Sequence, residues 1–209
     1  MRVGIFGGAF DPVHTGHLIL AEQCREAAGL DEVWFLPSYK PPHKTDRELT
    51  RFEHRCEMVL LATTGQPAFR VEPIEKELPP PNYTTATLAE LQERYPDHQF
   101  SFLLGADSLV DFPHWHEPRQ IVARAELVVV ARPGSELQPV ERFAAELGIA
   151  PETVRVKVVP CPRIEIASRD IRGRVASGHS IRFLVPRAVE EFIRERKLYH
   201  STATTAGNG

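Results

Sequence analysis

The chain has 209 residues, of which 42% are hydrophobic and 25% charged, as in an ordinary globular domain. Its formal net charge of −3 excludes a global basic field that would attract nucleic acid, so local donors must hold any anionic ligand. The sequence shows no secretory signal, no membrane-spanning apolar run, and three cysteines without disulfide or CxxC spacing. We expect a cytoplasmic protein without nucleic-acid or membrane partners, and the sequence leaves a homo-oligomer open.

Strand and helix patterns alternate along the chain, which is typical of parallel βαβ units. The apolar runs do not alternate with polar residues, as expected for strands covered on both faces. We predict strands over residues 2–6, 32–36, 69–72, 99–104, 126–131 and 153–159. We predict helices over residues 17–28, 51–63, 85–94, 118–124, 139–147, 169–176 and 186–196. The expected fold class is α/β, a doubly wound Rossmann-like parallel sheet with helices on both faces. A single domain is expected over residues 1–199, with a disordered tail over 200–209.

The segment after the first strand has the features of a phosphate-binding site. Gly7 and Gly8 let the backbone turn tightly and let a ligand approach closely. The helix that follows offers backbone N–H groups at its start, and His14 and His17 add imidazole donors beside them. The alternatives are a zinc site or histidines that only cap the helix. Zinc would require further ligands, and no spacing marks other histidines for that role.

The order and spacing of several motifs resemble the HxGH nucleotidyltransferase superfamily, and more narrowly the bacterial nicotinate-nucleotide adenylyltransferases. The first motif is Gly-Gly-x-Phe-Asp-Pro-Val-His-x-Gly-His at residues 7–17. It is followed by Pro-Pro-His-Lys at 41–44, Tyr-Thr-x-x-Thr-Leu at 83–88, Gly-Ala-Asp at 105–107, Arg-Pro-Gly at 132–134 and Ile-x-Ser-x-x-Ile-Arg at 166–172. The resemblance covers about residues 1–199. It implies transfer of the adenylyl group of ATP to nicotinate mononucleotide in NAD biosynthesis, with Mg²⁺ carried by ATP.

The resemblance assigns ATP to two elements of the chain. It implies that His14, His17 and Arg172 are catalytic, and that ATP also contacts Gly7, Gly8, Phe10, Gly16, Asp107, Arg132 and Ser168. Ser168 is predicted as a helix N-cap, with Arg172 about one turn further on. The alternative for this second element is a plain helix cap with a surface arginine. Relatives usually carry a serine and a threonine where this chain has Ala167 and Arg169, so residue 169 has no hydroxyl to make the usual hydrogen bond of that threonine.

The resemblance assigns the acceptor nucleotide to His43, Lys44, Thr84, Thr85 and Trp115. Thr84 is predicted as the N-cap of a helix whose backbone N–H groups receive the nicotinate carboxylate, and Trp115 as the residue that stacks on the pyridine ring. The alternatives are a solvated loop at 41–44, a simple helix cap at Thr84 and a tryptophan that fills the core. Ala86 stands where many relatives carry aspartate, a change that weakens a capping interaction and leaves recognition of the carboxylate to the backbone N–H groups.

Three alternatives to this function stay open at this stage. The acceptor is nicotinamide mononucleotide or phosphopantetheine in other enzymes of the fold, and a nucleotide-binding module without turnover is the alternative from a different class. The reaction itself requires little acid–base chemistry, because a nucleotide phosphate with a second pKa near ~6 is largely ionised at neutral pH. Alignment and neutralisation of two anions are therefore the expected tasks of the site.

Overall fold

A computed structural model describes residues 1–41, 48–131 and 137–200. Within them, six strands form one fully parallel sheet in the order β3-β2-β1-β4-β5-β6. The strands are β1 (Arg2–Gly8), β2 (Glu32–Pro37), β3 (Phe69–Val71), β4 (Gln99–Gly105), β5 (Glu126–Ala131) and β6 (Val156–Pro160). All six predicted strands are present, and their order is that of a doubly wound Rossmann sheet. The last strand begins three residues later than predicted, because Pro151–Thr153 forms a 3₁₀ turn with proline at its first position.

Eight α-helices connect the strands or follow them in the described residues. They are α1 (Thr15–Ala28), α2 (Phe52–Thr63), α3 (Thr84–Arg94), α4 (Ala106–Asp111), α5 (Pro118–Arg124), α6 (Val140–Leu147), α7 (Ser168–Ala176) and α8 (Arg187–Glu195). Helix α1 ends at Ala28, as predicted, and is followed by Gly29, whose φ of 64° is the left-handed conformation that glycine adopts without strain. The short helix α4 was missed. None of these helices is long and apolar enough to cross a bilayer.

Helices cover both faces of the sheet, which confirms the predicted fold class. Alternate residues of β2 face opposite sides: Val33 and Phe35 pack in one apolar cluster, and Trp34 and Leu36 in the other. Helices α1, α2, α7 and α8 supply buried residues to the first cluster, while α3, α4, α5 and α6 supply them to the second. Two-sided burial explains why the strand sequences are continuously apolar.

The position of the cleft follows from the point where the strand order of the sheet reverses. The chain runs outward from β1 through β2 to β3, and then returns to the other side of β1 as β4. The connections after β1 and β4 therefore diverge to opposite faces, which opens a crevice at the carboxyl ends of these two strands. Gly7 and Gly8 lie at this end of β1, and Gly105 at the same end of β4.

Candidate active site

The loop from β1 to α1 brings the two histidines of the first motif into contact. Helix α1 begins at Thr15, two residues earlier than predicted, and His14 precedes it in an extended conformation. The backbone N–H of His14 donates to Nδ1 of His17 at 3.2 Å, and the two imidazole rings stack with centroids 3.6 Å apart. Because Nδ1 of His17 accepts this bond, the proton of its neutral ring lies on Nε2, which becomes the donor.

Burial makes both imidazoles poor bases. Only 6% of His14 is exposed, and desolvation lowers the pKa of His14 from 6.5 to about 4. Desolvation, followed by the repulsive effect of His14, lowers the pKa of His17 to about 3. Both rings are therefore neutral at pH 7 in the ligand-free protein. Each ring can donate a hydrogen bond to an anionic oxygen without carrying a positive charge itself.

Two glycines of the motif make room for neighbouring side chains. A Cβ atom on Gly16 would lie 3.1 Å from Nδ1 of His14, so this glycine allows the imidazole to lie against the start of α1. A Cβ atom on Gly8 would lie 3.1 Å from the ring of Phe10. Phe10 itself is buried, with φ of 47° and its ring 5.1 Å from that of His17. The structure thus places Phe10 under the loop, in the core, where it supports His17.

The second predicted phosphate element lies directly against the first. The hydroxyl of Ser168 donates to the carbonyl of Pro12 at 2.8 Å, and Nη1 of Arg172 donates to the carbonyl of Asp11 at 2.6 Å. The prediction that Ser168 is the N-cap of α7 was wrong: Ala167 is the N-cap, and Ser168 is the first helical residue. Its hydroxyl therefore bonds to a residue 156 positions earlier in the sequence and does not cap its own helix. Arg169 is exposed and pairs with Asp170 at 3.6 Å.

A cavity of about 980 Å³ opens at the carboxyl ends of β1 and β4, on the face covered by α3, α4 and α5. Gly7, Gly8, Thr84 and Trp115 are among its lining residues. The ring of Trp115 stands edge-on to Phe102 with centroids 5.9 Å apart, so it packs on the core and also faces the cavity. The two interpretations of this tryptophan are thus compatible.

The start of α3 differs in detail from the prediction. Tyr83, and not Thr84, is the N-cap, and Thr84 is the first residue of the helix. Thr85 is buried, and its hydroxyl donates to the carbonyl of His116 at 2.8 Å. The ring of His116 stacks on that of Tyr83 with centroids 4.0 Å apart. Thr85 therefore fastens the loop that carries Trp115 to the start of α3.

Sequence reasoning missed an acidic residue in the cavity wall. Glu75 lies in the 3₁₀ turn Ile74–Lys76 and lines the cavity, and its Oε2 atom accepts the backbone N–H of Tyr39 at 2.9 Å. Burial raises the pKa of Glu75 from 4.5 to about 7. The amide of Asn82 fixes the same region by donating to the carbonyl of Glu75 at 3.0 Å. No local pattern around Glu75 signals this position.

The four remaining predicted site residues either do not line the cavity or lie outside the described part of the chain. Asp107 is exposed in the first turn of α4, whereas Ser108 and Asp111 of the same helix line the cavity. His43, Lys44 and Arg132 lie outside the described residues, as does the predicted tail from residue 201 onward.

Comparison with known proteins supports the family suggested by the motifs. The cytidylyltransferase-like family profile matches residues 5–174. A Thermomicrobium roseum protein named "Probable nicotinate-nucleotide adenylyltransferase" is 46% identical over 200 residues, covering 96% of this chain and 92% of that protein. A protein of the same name from Exiguobacterium sibiricum is 45% identical over 199 residues, covering 95% of this chain and 99% of that protein.

The fold also matches that of a solved structure. The Plasmodium falciparum nicotinic acid mononucleotide adenylyltransferase complexed with NaAD superposes with a TM-score of 0.75 and 19% identity, covering 95% of this chain and 97% of that chain. At that identity the match bears on the fold alone. The identity and coverage of the sequence relatives establish the family, and the chain belongs to the cytidylyltransferase-like family and, within it, to the nicotinate-nucleotide adenylyltransferases.

Proposed function

We propose that this protein transfers the adenylyl group of ATP to nicotinate mononucleotide, which yields nicotinate adenine dinucleotide and pyrophosphate in NAD biosynthesis. The observation that carries the proposal is the direct contact between the two phosphate elements: Ser168 and Arg172 of α7 bond to the β1–α1 loop that holds His14 and His17. An aromatic cavity adjoins this assembly at Gly7 and Gly8. The named relatives support the same substrate pair.

ATP occupies the half of the cleft between α1 and α7 in this proposal. Nε2–H of His17 donates to oxygens of the α-phosphate, and His14, Ser168 and Arg172 meet the remaining phosphates. Neutral donors placed where negative charge increases stabilise a transition state without prior reorganisation. Arg172 adds the positive charge that the neutral imidazoles lack. Asp107 and Arg132 are assigned to ATP from the family motifs.

The acceptor occupies the cavity in this proposal. The pyridine ring lies on Trp115, and the carboxylate meets the backbone N–H groups at the start of α3, where the helix dipole favours negative charge. Thr84 and Thr85 are the first two residues of this helix. Thr85 also holds the loop that carries Trp115, through its bond to the carbonyl of His116. His43 and Lys44, from the family motif, are assigned to the phosphate of the mononucleotide.

The chemical step needs positioning more than proton transfer. A phosphate oxygen of nicotinate mononucleotide attacks the α-phosphorus of ATP, and a new P–O bond forms as the bond to the α,β-bridging oxygen breaks. The bonding electrons leave with that oxygen, so pyrophosphate departs as an anion. The acceptor phosphate is already ionised above pH ~6, and the step consumes no protein-held proton. The protein supplies alignment and charge stabilisation.

Mg²⁺ is proposed to enter with ATP. The ion prefers phosphate oxygens and water, and commonly takes only one or two protein ligands or none. Among the described residues, no three His, Cys, Asp or Glu side chains group as a metal site. When bound, the metal neutralises phosphate charge, which assists departure of pyrophosphate. We place the reaction in the cytoplasm, because the spacing of the three cysteines fits neither a disulfide framework nor a CxxC pair, as expected in a reducing compartment.

Pyrophosphate release from ATP tests the proposal, with nicotinate mononucleotide, nicotinamide mononucleotide and phosphopantetheine offered separately at equal concentration. Nicotinate mononucleotide should support the fastest release. Faster release with another acceptor would overturn the substrate assignment. ATP binding without release on any acceptor would indicate a nucleotide-binding module.

A further inference from the structure

The carboxylate of Asp11 is buried inside the loop that carries the histidines. Only 1% of the residue is exposed, and it lies three positions before His14. A buried carboxylate is tolerated only where donors satisfy it. Its Oδ2 atom accepts the backbone N–H of Thr50 at 3.2 Å, and its Oδ1 atom accepts the hydroxyl of Tyr199 at 2.6 Å. The shorter bond therefore comes from the C-terminal end of the domain.

Tyr199 reaches this carboxylate from 188 residues away in sequence. Burial, with the negative charge of Asp11 beside it, raises the pKa of the Tyr199 hydroxyl above its usual range, so the phenol stays protonated and donates. The backbone of Tyr199 has a φ of 65°, a left-handed conformation that is unfavourable for a residue with a Cβ atom. Such a conformation persists where surrounding contacts enforce it.

A buried arginine also bonds to the loop that carries the histidines. Arg55 is 1% exposed, and its guanidinium donates to the carbonyls of Ala9, Ser38 and Thr50 at 2.7–2.8 Å. Burial lowers the pKa of Arg55, and the charge of Asp11 partly offsets that effect. The loops after β1 and β2 and the start of α2 are thus joined by the guanidinium of Arg55.

The Asp11–Tyr199 bond also lies where the two phosphate elements meet. Arg172 donates to the backbone carbonyl of Asp11, and Ser168 to that of Pro12, the next residue. A displacement of Asp11 would therefore move the acceptors of both α7 side chains and, within three residues, the imidazole of His14. Misplacement by about 1 Å can reduce catalysis on the order of 100-fold.

We propose that Tyr199 is a positioning residue, which acts through the carboxylate of Asp11 to hold the phosphate-binding loop in the conformation that presents His14 and His17 to ATP. The inference rests on the function proposed above. It gives the described residues after α8 a role in positioning the groups that contact ATP.

The test replaces Tyr199 by phenylalanine, which removes only the hydroxyl. Tyr95→Phe is the matched control, because the hydroxyl of Tyr95 bonds to Arg70 and Glu72 at the far end of α3, about 16 Å along that helix from Thr84. We expect Tyr199→Phe to lower kcat about ten-fold with KM for nicotinate mononucleotide changed less than two-fold. Tyr95→Phe should retain wild-type kcat. Equal kcat in the two variants would overturn the proposal.

Two further measurements keep the inference testable apart from the overall function. The imidazole NMR resonances of His14 and His17 should shift in Tyr199→Phe and not in Tyr95→Phe, and unshifted resonances would contradict a positioning role even if the wild type had no activity. In the Asp11→Asn background, the added effect of Tyr199→Phe on those resonances and on kcat should be smaller than in the wild type. Simple additivity would show that Tyr199 does not act through Asp11. Absence of wild-type pyrophosphate release would instead reject the proposed function.

Discussion

The imidazole rings of His14 and His17 are stacked with centroids 3.6 Å apart and planes inclined by 20°, and burial lowers the pKa of each well below neutrality. Two imidazoles at this distance cannot both be charged without strong repulsion. The ligand-free pair is therefore a pair of neutral donors. This arrangement suits a reaction that needs hydrogen bonds at the α-phosphate and no general base.

The lowered pKa values predict a pH dependence of stability. Between pH 6.5 and about pH 4, histidines of the unfolded chain bind protons while His14 and His17 of the folded chain do not, so stability falls as pH falls through this range. Replacement of His17 by asparagine removes one of the two groups. Urea unfolding at pH 7.5 and pH 5 should show a smaller loss for His17→Asn than for the wild type. Equal losses would contradict the lowered pKa of His17.

We expect the proposed kinetic role of His17 to be separable from ATP binding. Loss of one preorganised donor to a developing oxyanion lowers kcat on the order of 100- to 1000-fold. We expect His17→Asn to show a kcat decrease of this size and a much smaller change in the Kd of ATP, measured by calorimetry. His179→Asn, on the exposed turn after α7, is the control and should keep wild-type kcat. Comparable losses in kcat and ATP affinity would reduce His17 to a binding residue.

Gly16 and Gly173 offer a matched pair of glycine substitutions. A Cβ atom on Gly16 would lie 3.1 Å from the His14 imidazole, whereas a Cβ atom on Gly173 meets no described atom within 4 Å outside its own helix. Gly16→Ala should displace His14 and lower kcat about ten-fold. Gly173→Ala should keep activity and raise the free energy of unfolding by about 1 kcal/mol, because alanine favours the helix interior. Full activity of Gly16→Ala would show that the imidazole position is not critical.

Glu75 should make the stability of the protein fall as the pH rises, whereas the two histidines make it fall as the pH falls. Its pKa is raised to about 7, so between pH 4.5 and 7 the folded chain holds a proton that the unfolded chain has lost, and stability falls as pH rises. Glu75→Gln removes this effect while keeping the shape of the side chain. As the pH rises from 5 to 8, the free energy of unfolding of the variant should increase by about 2 kcal/mol relative to that of the wild type. A constant difference across this range would contradict the raised pKa.

The sequence was most informative where local pattern and fold agree. Strand β5 matched its predicted bounds because β-branched and apolar residues buried on both faces leave no other interpretation. Helix starts were less predictable. Ser168 and Thr84 are good N-caps by local preference, but the structure places Ala167 and Tyr83 there. Ser168 is the first residue of α7, and its hydroxyl donates to the distant carbonyl of Pro12. Thr84 is the first residue of α3.

The contacts between distant segments were outside the reach of motif reading. The 2.6 Å bond from Tyr199 to Asp11 joins the two ends of the domain, and the burial of Glu75 arises only when α3 and the loop after β2 close around it. Neither feature has a local spacing rule. Both follow from the topology that returns the C-terminal segment and the 3₁₀ turn to the carboxyl edge of the sheet.

The most direct test of the central claim follows the α-phosphorus of ATP. The protein is incubated with nicotinate mononucleotide and ATP labelled at the α-phosphate, and the products are separated and weighed by mass spectrometry. The account predicts that the label enters a species with the mass of nicotinate adenine dinucleotide, while the released pyrophosphate is unlabelled. Label that stays in ATP, or appears as AMP irrespective of the acceptor, would contradict adenylyl transfer to nicotinate mononucleotide.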